Sequence, residues 1–136
     1  MANQVFEAII EFNQRVLHIE PRPINLLSEG ELEITEKCLN EEVGELRDAH
    51  TEGDMIGAVD SMFDNIYFAV GALYKMGLNA DSIEKGMMAV HDANMRKKLG
   101  VNYRRGDGQA ADAVKPADWV GPEVEISNIL DAQAPV

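Results

Sequence analysis

One stretch of the chain, residues 55–76, constrains the fold more than any other because it is apolar on nearly every side. Only three of its residues carry a charge, namely Asp60, Asp64 and Lys75. A helix that is apolar all round is normally a buried helix. A glycine lies just outside each end of the stretch, and an aspartate stands where it can cap the start. We therefore predict a central helix from about Asp54 to Met76.

Apolar residues recur at helical spacing in three other parts of the chain. They predict helices from about Asn3 to His18, from Ser28 or Glu29 to about Glu52, and from a cap at Asp81 or Ser82 to Leu99. Prolines at positions 21 and 23 require an extended connection between the first two helices.

The remaining residues, from Gly100 onward, are rich in Gly, Pro and Ala and predict an irregular tail that is ordered in part. We predict an all-α fold: an antiparallel four-helix bundle over residues 1–99 and an irregular C-terminal extension over 100–136. We expect this extension to pack on the bundle or on a neighbouring subunit. A chain of 136 residues leaves much apolar surface uncovered, so we also expect a homo-oligomer.

The charge balance is strongly acidic, with 24 Asp and Glu against 12 Lys and Arg and a formal charge of −12. Non-specific nucleic-acid binding and binding to an anionic membrane both need a positive surface, so we expect neither partner. A negatively charged substrate is compatible with this charge only if a divalent cation bridges the two.

The location of the protein is also constrained by its sequence. Cys38 is the only cysteine, so no intrachain disulfide can form. The first eleven residues include two acids and no basic region, unlike a signal peptide. The longest uncharged apolar run, Ile66 to Leu73, is far too short to span a bilayer. We expect a cytoplasmic protein, in the host cytoplasm if a phage encodes it.

The second helix carries a cluster of acids that repel one another at helical spacing: Glu36, Glu41, Glu42, Glu45 and Asp48. We interpret Glu36, Glu41 and Asp48 as a solvated face. Glu42 lies about 60° from the centre of the apolar stripe, on a flank with small neighbours that leave room for a ligand. For Glu42 and Glu45, periodicity alone favours a solvated face and a binding site equally.

The third helix favours the binding site. Asp60 and Asp64 are four residues apart and project from the same side of an apolar helix. A buried carboxylate is costly unless it is paired or binds a metal ion. Hydrogen bonds to Tyr, Ser or Arg inside the bundle are the alternative, which we consider weaker because no basic residue occurs between Arg47 and Lys75.

Two helices that each present two acids predict a site for a hard cation. We predict Glu42, Glu45, Asp60 and Asp64 as metal ligands. Ligation by oxygen alone selects Mg²⁺ or Mn²⁺ over zinc. Mg²⁺ held by carboxylates keeps positions for water and for substrate phosphates. This points to a polyphosphate substrate.

The fourth helix and the residues after it supply cations. Five of the twelve basic residues fall between Arg96 and Arg105. Basic residues near a helix end also suit the helix dipole, which is the structural alternative. We predict that a patch from this region binds phosphate oxygens, with these candidates: His91, Asn94, Lys97, Tyr103 and Arg104.

Three motifs in order resemble the MazG-like branch of the all-α NTP pyrophosphohydrolases, over roughly Asn3 to Lys98. They are Glu41-Glu42-Val43-Gly44-Glu45-Leu46, Asp60-Ser61-Met62-Phe63-Asp64 and Asn94-Met95-Arg96-Lys97. The segments Lys115-Pro116-Ala117-Asp118-Trp119 and Gly121-Pro122 are similar to the ends of phage-type and Cof-like members.

The resemblance implies roles for several of these residues. Glu42, Glu45 and Asp64 would be metal ligands, and Asn94 and Lys97 would contact phosphates. The first acid of the family's second motif is Ser61 here, so Asp60, one residue earlier, is the candidate replacement. Family members are usually dimers or dimers of dimers, which implies a homodimer or homotetramer.

The reaction so implied converts a nucleoside triphosphate and water to the monophosphate and pyrophosphate. Water activated by the metal ion attacks the α-phosphorus, and either Glu41 or Glu45 accepts its proton. The size and the phage-like pattern are similar to MazZ-like proteins that act on dGTP and dATP. This similarity implies a purine deoxynucleotide such as dGTP, with a pyrimidine deoxynucleotide as the alternative.

Two residues outside the motifs are candidates for contacts with the base. Asn13 can offer its amide to a base edge, and Trp119 can cover the site. Each also has a structural interpretation, which is a solvent-facing amide for Asn13 and an aromatic anchor of the tail for Trp119.

Two other classes of protein fit the sequence less well. A di-iron carboxylate bundle requires Glu-x-x-His motifs, but the three histidines follow Arg15, Arg47 and Met88 at that spacing. An acidic non-catalytic binding or regulatory protein is compatible with the charge. It does not explain Asp64 in an apolar helix, and it predicts that Glu42→Ala leaves function unharmed.

Overall fold

The computed structural model describes residues 3–105 and 109–136, with the backbone alone at position 103 and at 109–111. The described residues form five α-helices and one antiparallel strand pair, so the prediction of a mainly helical fold is confirmed. In chain order the elements are α1 (Gln4–Arg15), α2 (Glu29–Glu52), α3 (Met55–Lys75), α4 (Ala80–Met95), β1 (Lys98–Asn102), a 3₁₀ turn (Tyr103–Arg105), β2 (Gln109–Val114) and α5 (Glu123–Ala132). The packing of four helices as one bundle stays a prediction, as does the homo-oligomer.

The chain forms two compact units. The first runs to Ile83 and includes residues 134–136, and the second is Glu84–Gln133. Within the described residues, no helix combines the length and the hydrophobicity needed to cross a bilayer.

The helices α2 and α3 form a helical hairpin whose turn is set by two residues. Gly53 ends α2 with a left-handed φ of 70°, which a residue with a Cβ adopts only at a cost. Asp54 then caps α3, and its carboxylate accepts a hydrogen bond from the Gly57 backbone N–H at 2.9 Å. Helices joined by so short a turn are antiparallel neighbours. Any residue in the second half of α2 is therefore opposite the first half of α3.

The start of α2 is fixed by a capping box. The Glu31 backbone N–H donates to Ser28 Oγ at 3.2 Å, and the Ser28 N–H donates to the Glu31 carboxylate at 3.1 Å. Arg22 Nη1 also donates to Glu31, at 2.6 Å, and to the Lys75 carbonyl at 3.3 Å. The connection after α1 is thus held at the open end of the α2–α3 hairpin, where α2 begins and α3 ends.

The core of the first unit contains Ile9 of α1, Val70 of α3 and Ile83, which are 2%, 5% and 1% exposed. Burying a side chain of this size contributes about 1.5–3 kcal/mol. Tyr74 donates its hydroxyl hydrogen to the Ile19 carbonyl at 2.7 Å, which ties the connection to α3.

The prediction that α3 is buried on all sides is wrong for the single chain. Its buried residues other than Ser61 lie in its second half, where α1 also contacts it. Large apolar side chains in its first two-thirds are exposed: Met55 (73%), Ile56 (84%), Phe63 (65%) and Ile66 (51%). Because α1 and α2 cover only part of α3, an apolar face remains uncovered in one copy of the chain.

In the second unit, α4 ends at Met95 and not at the predicted Leu99, because β1 begins at Lys98. The predicted caps of α4 are also wrong, since Asn79 Oδ1 accepts the Ser82 N–H at 2.9 Å.

The prediction of an irregular tail is wrong as well. Strand β1 pairs antiparallel with β2, with Lys98 opposite Val114. The helix α5 follows Pro122, a residue pre-set for a helix start, and Glu123 in its first turn suits the helix dipole. Pro116, Gly121 and Pro122 therefore lie between regular elements.

Candidate active site

Glu42 is the most unusual polar residue of the first unit. It projects from α2 and is only 9% exposed. One of its carboxylate oxygens, Oε2, is buried and has no hydrogen-bond partner among the described residues. A buried carboxylate oxygen without a partner costs free energy unless a proton or a cation neutralises it.

The surroundings of Glu42 favour its protonated form. Burial raises the pKa of Glu42 most, followed by a hydrogen bond to Glu45 and the negative charges of Glu45, Asp64 and Asp60, to about 7. Glu45, Asp60 and Asp64 are therefore each near enough to Glu42 for their charge to act on it. The antiparallel hairpin produces this arrangement because it sets residues 42–45 of α2 opposite residues 60–64 of α3.

The four carboxylates form a neighbourhood of negative charge and not a finished coordination sphere. Within residues 3–105 and 109–136, no three His, Cys, Asp or Glu side chains converge closely enough to hold a cation between them. Asp60 and Glu45 are exposed and Asp64 is half-buried. The donor set is nevertheless one that suits Mg²⁺ or Mn²⁺, because it offers carboxylate oxygens alone and one of them lacks a partner.

Ser61 occupies the position of the missing family acid. It is 1% exposed, and its hydroxyl donates to the Ala58 carbonyl at 2.9 Å. That hydroxyl is therefore used within α3. The neighbouring Asp60, and not Ser61, carries the negative charge that helps to raise the pKa of Glu42.

The three acids interpreted as a solvated face, Glu36, Glu41 and Asp48, are exposed on α2. Of these three acids, Glu41 alone has a predicted catalytic role, as a proton acceptor. That role stays a prediction.

Asn13 is not the solvent-facing amide of the structural alternative. It is 3% exposed, and its Nδ2 donates to the Ile9 carbonyl at 2.9 Å, one turn earlier in α1. Asn13 lines a cavity of about 230 Å³ bounded by α1, α2 and α3.

Sequence reasoning missed most of the walls of this cavity. The other residues around it are Phe12, Leu17, Ile34, Thr35, Cys38, Tyr67, Phe68, Gly71, Ala72 and Lys75. Cys38 is half-buried and lines the cavity. The sequence signal for Cys38 is its position four residues before Glu42, which places both side chains on one flank of α2.

The predicted phosphate-binding residues lie in the second unit. His91 and Asn94 are exposed and one turn apart on α4, and Arg104 is exposed in the 3₁₀ turn. Lys97 is half-buried, with its Nζ 5.3 Å from the centre of the Trp119 ring. The Tyr103 side chain lies outside the described part of the chain, so its predicted role stays a prediction.

Trp119 anchors the tail to α4. Its Nε1 donates to the Ala93 carbonyl at 2.7 Å. Lys115 Nζ lies 4.8 Å from the centre of the Trp119 ring. Arg96 Nη2 adds a bond to the Val120 carbonyl at 3.2 Å. These contacts agree with the structural interpretation of Trp119.

Comparison with known families decides the class of protein. The family model of phosphoribosyl-ATP pyrophosphohydrolase matches residues 6–94, which is about two-thirds of the chain and includes all four clustered carboxylates. The chain belongs to the phosphoribosyl-ATP pyrophosphohydrolase family. This family is related to the MazG-like superfamily that the motifs resemble. No curated protein matched the chain in a sequence comparison.

Membership of the phosphoribosyl-ATP pyrophosphohydrolase family implies a pyrophosphohydrolase activity on a nucleotide substrate. The carboxylates of the α2–α3 hairpin lie within the matched residues, as do Asn13 and Asn94. The β1–β2 pair and α5 lie beyond them.

Proposed function

We propose that the protein is a metal-dependent nucleoside triphosphate pyrophosphohydrolase, which converts a (d)NTP and water to the (d)NMP and pyrophosphate. The observation that carries this proposal is the buried Glu42 carboxylate, which has an unbonded oxygen and lies beside the charges of Glu45, Asp60 and Asp64. A divalent cation would balance these charges and would bridge the carboxylates to the substrate phosphates.

Glu42, Glu45, Asp60 and Asp64 would hold Mg²⁺ or Mn²⁺, which supplies activation of water and neutralises charge on pyrophosphate. Binding requires Glu42 to release its proton, since only the ionised carboxylate is a good ligand. It also requires the exposed side chain of Asp60 to turn toward Glu42.

The reaction forms a bond between the water oxygen and the α-phosphorus and breaks the bond from that phosphorus to the bridging oxygen. The bridging oxygen leaves with pyrophosphate and its electron pair, and one proton of water goes to a carboxylate. Glu45 is supported as the acceptor because it adjoins Glu42. Glu41 is the competing candidate and is exposed.

We propose that the exposed polar side chains of the second unit bind phosphate oxygens. His91, Asn94 and Arg104 present donors to solvent, which supports this role. Lys97 and Tyr103 complete the set that the motif and charge pattern predict.

For the substrate, we propose a purine deoxynucleotide such as dGTP. The similarity to MazZ-like proteins supports it, and the matched family is named after a purine nucleotide, phosphoribosyl-ATP. Phosphoribosyl-ATP itself is therefore the second candidate substrate, and a pyrimidine deoxynucleotide is the third.

We propose further that the chain assembles as a homodimer or homotetramer. The exposed apolar residues of α3, such as Ile56 and Phe63, support this because monomers rarely leave a large contiguous apolar patch uncovered.

The experiment is a substrate panel. Metal-free protein is supplied with Mg²⁺ or Mn²⁺ and with each NTP, each dNTP and phosphoribosyl-ATP, and monophosphate, diphosphate, phosphate and pyrophosphate are resolved. We expect monophosphate and pyrophosphate in equal amounts, with loss of turnover in Glu42→Gln and Asp64→Asn and with chelator. Asp48→Asn is the matched control on an exposed acid of α2. Absence of turnover with every substrate and both metals would favour an acidic binding protein.

A further inference from the structure

We propose that Lys115 joins Lys97 in binding the polyphosphate of the substrate, and that Trp119 is the positioning residue that holds the two ammonium groups. For the identity of the ligand we rely on the proposed function. Lys115 and Trp119 lie in the C-terminal part of the chain, beyond the residues that the family model matches. All three residues belong to the second unit.

The register of the β1–β2 pair brings the two lysines together. Lys98 lies opposite Val114 at the open end of this hairpin. Continued by one residue, the antiparallel register places Lys97 and Lys115 next to each other. Like charges directly opposite each other on two strands are destabilising. The hairpin therefore needs a group beside the two lysines that offsets their repulsion.

The Trp119 ring is a group that both lysines contact. Lys97 Nζ lies 5.3 Å from the ring centre, and Lys115 Nζ lies 4.8 Å from it. At distances up to about 6 Å, the negative face of an aromatic ring attracts a cation. Because they share one ring, the two ammonium groups are no more than about 10 Å apart, which is the distance over which 0.1 M salt screens charge.

Two hydrogen bonds fix Trp119 in this position. Its backbone N–H donates to the Pro116 carbonyl at 3.0 Å, which closes a turn directly after Lys115. The indole Nε1 donates to the Ala93 carbonyl at 2.7 Å, near the end of α4. A lysine side chain is long and flexible, and ordering it on binding costs affinity. A fixed ring restricts both lysines before the ligand arrives and so reduces that cost.

The positive charge of the two lysines is not neutralised by an acid. Among the described side chains, neither ammonium group pairs with an Asp or Glu carboxylate. The ring attracts both cations through its quadrupole but carries no net charge. Two adjacent cations without acidic partners are unusual in a chain with a formal charge of −12. They provide a site for an anion.

A polyphosphate suits this pair of cations better than an anion with a single charge. Its oxygens are spread along a chain, so different phosphate groups can accept hydrogen bonds from Lys97 and from Lys115. Each such bond joins an ammonium group to a charged oxygen and is stronger than a bond between neutral groups. The C-terminal part of the chain thus adds a second cation beside Lys97 of the Asn94-Met95-Arg96-Lys97 motif.

The first test uses the fluorescence of Trp119, which is the only tryptophan of the chain. Inorganic tripolyphosphate, which has neither base nor sugar, is titrated into metal-free protein at constant ionic strength. We expect a saturable change in emission, with a dissociation constant that rises about tenfold in Lys97→Gln and in Lys115→Gln. Absence of a saturable change in the wild type, or an unchanged dissociation constant in Lys115→Gln, would overturn the proposal.

Lys98→Gln is the matched control for charge. Lys98 is exposed and follows Lys97 directly, but its side chain is not one of the two described over the Trp119 ring. We expect Lys98→Gln to leave the dissociation constant for tripolyphosphate nearly unchanged. A rise as large as that in Lys115→Gln would mean that general positive charge, and not the pair on the ring, binds the anion.

Two substitutions of Trp119 test its positioning role in the hydrolysis of the best dNTP. Trp119→Leu removes the ring, and Trp119→Phe keeps a ring but loses the bond from Nε1 to Ala93. We expect Trp119→Leu to raise KM about fivefold with little change in kcat, and Trp119→Phe to restore part of the loss. The same KM in Trp119→Leu and wild type, or in Trp119→Leu and Trp119→Phe, would contradict a role for the ring.

The binding titration separates failure of this phosphate site from failure of the proposed reaction. If tripolyphosphate binding depends on Lys97 and Lys115 in a protein that hydrolyses no nucleotide, the phosphate site stands and the proposed reaction fails. If Lys115→Gln hydrolyses dNTPs with the KM of the wild type and Trp119 fluorescence does not respond to tripolyphosphate, the reaction stands and the phosphate site fails.

Discussion

Glu42 of α2 and Asp64 of α3 are close enough across the helical hairpin for the negative charge of Asp64 to raise the pKa of Glu42. The first is buried and the second half-buried, and both belong to the region shared with the phosphoribosyl-ATP pyrophosphohydrolase family. The turn at Gly53 and Asp54 enforces this proximity. Substitutions of Glu42 and of Asp64 should therefore affect the same carboxylate site.

Stability without metal should fall as pH rises because of Glu42. Its pKa is raised from the ordinary 4.5 to about 7 in the folded protein. The folded state holds this proton more tightly than the unfolded chain, so the stabilisation is fully present below pH 4.5 and is lost as pH rises through about 7. Urea unfolding of chelator-treated protein at pH 5 and pH 8 should show that Glu42→Gln gains stability relative to wild type at pH 8 only. Glu36→Gln, an exposed acid on α2, is the control, and an equal shift at both pH values would contradict this account.

Metal binding should release a proton from Glu42 at low pH. Because the carboxylate must ionise before it binds a cation, we expect release of up to about one proton per site near pH 6 and almost none near pH 8.5. Calorimetric titration with Mn²⁺ in two buffers of different ionisation enthalpy measures this number. Glu42→Gln should release none. The same proton release at both pH values in the wild type would show that Glu42 is not a ligand.

The apolar face of α3 should control assembly. Ile56 is 84% exposed and lies well before Asp64 in the helix. Ile56→Arg places a charge on this face and should convert the oligomer to monomers, as measured by light scattering after size exclusion. Leu26→Arg, at a residue of equal exposure in the connection before α2, should leave the mass unchanged. A wild-type protein that is monomeric at high concentration would refute the assembly.

Two glycine substitutions should have opposite effects on stability. Gly53→Ala forces a residue with a Cβ to adopt a φ of 70° and should cost about 1 kcal/mol. Gly44→Ala lies inside α2, where a Cβ meets nothing within 4 Å, and should stabilise by about 0.5–1 kcal/mol. Thermal unfolding of metal-free protein measures both. If Gly53→Ala raises the free energy of unfolding as Gly44→Ala does, the turn at Gly53 does not need its left-handed conformation.

The sequence predicted α1, α2 and α3 closely because their signals are local. Apolar spacing, the capping box at Ser28 and the Gly53-Asp54 turn each act within a few residues. The position of residues 42–45 opposite residues 60–64 was equally accessible, because the register of a tight hairpin follows from its turn. The burial of Glu42 was not decidable from periodicity and needed the packing of α3.

Other features depend on contacts that no local pattern encodes. Strand β2 has few β-branched residues and is specified by pairing with β1. The exposure of the apolar residues of α3 shows that composition predicts a need for burial but not which partner provides it. The cavity at Asn13 requires three helices to meet, so a single asparagine in α1 could suggest it and could not define it.

Hydrolysis in water enriched in ¹⁸O tests the proposed reaction most directly. The substrate, with Mg²⁺ or Mn²⁺, is converted in one turnover, and the masses of the monophosphate and of pyrophosphate are measured. We predict that the label is found in the monophosphate alone, because water attacks the α-phosphorus beside Glu42 and Asp64. Label in pyrophosphate, or release of diphosphate and phosphate, would contradict attack at the α-phosphorus.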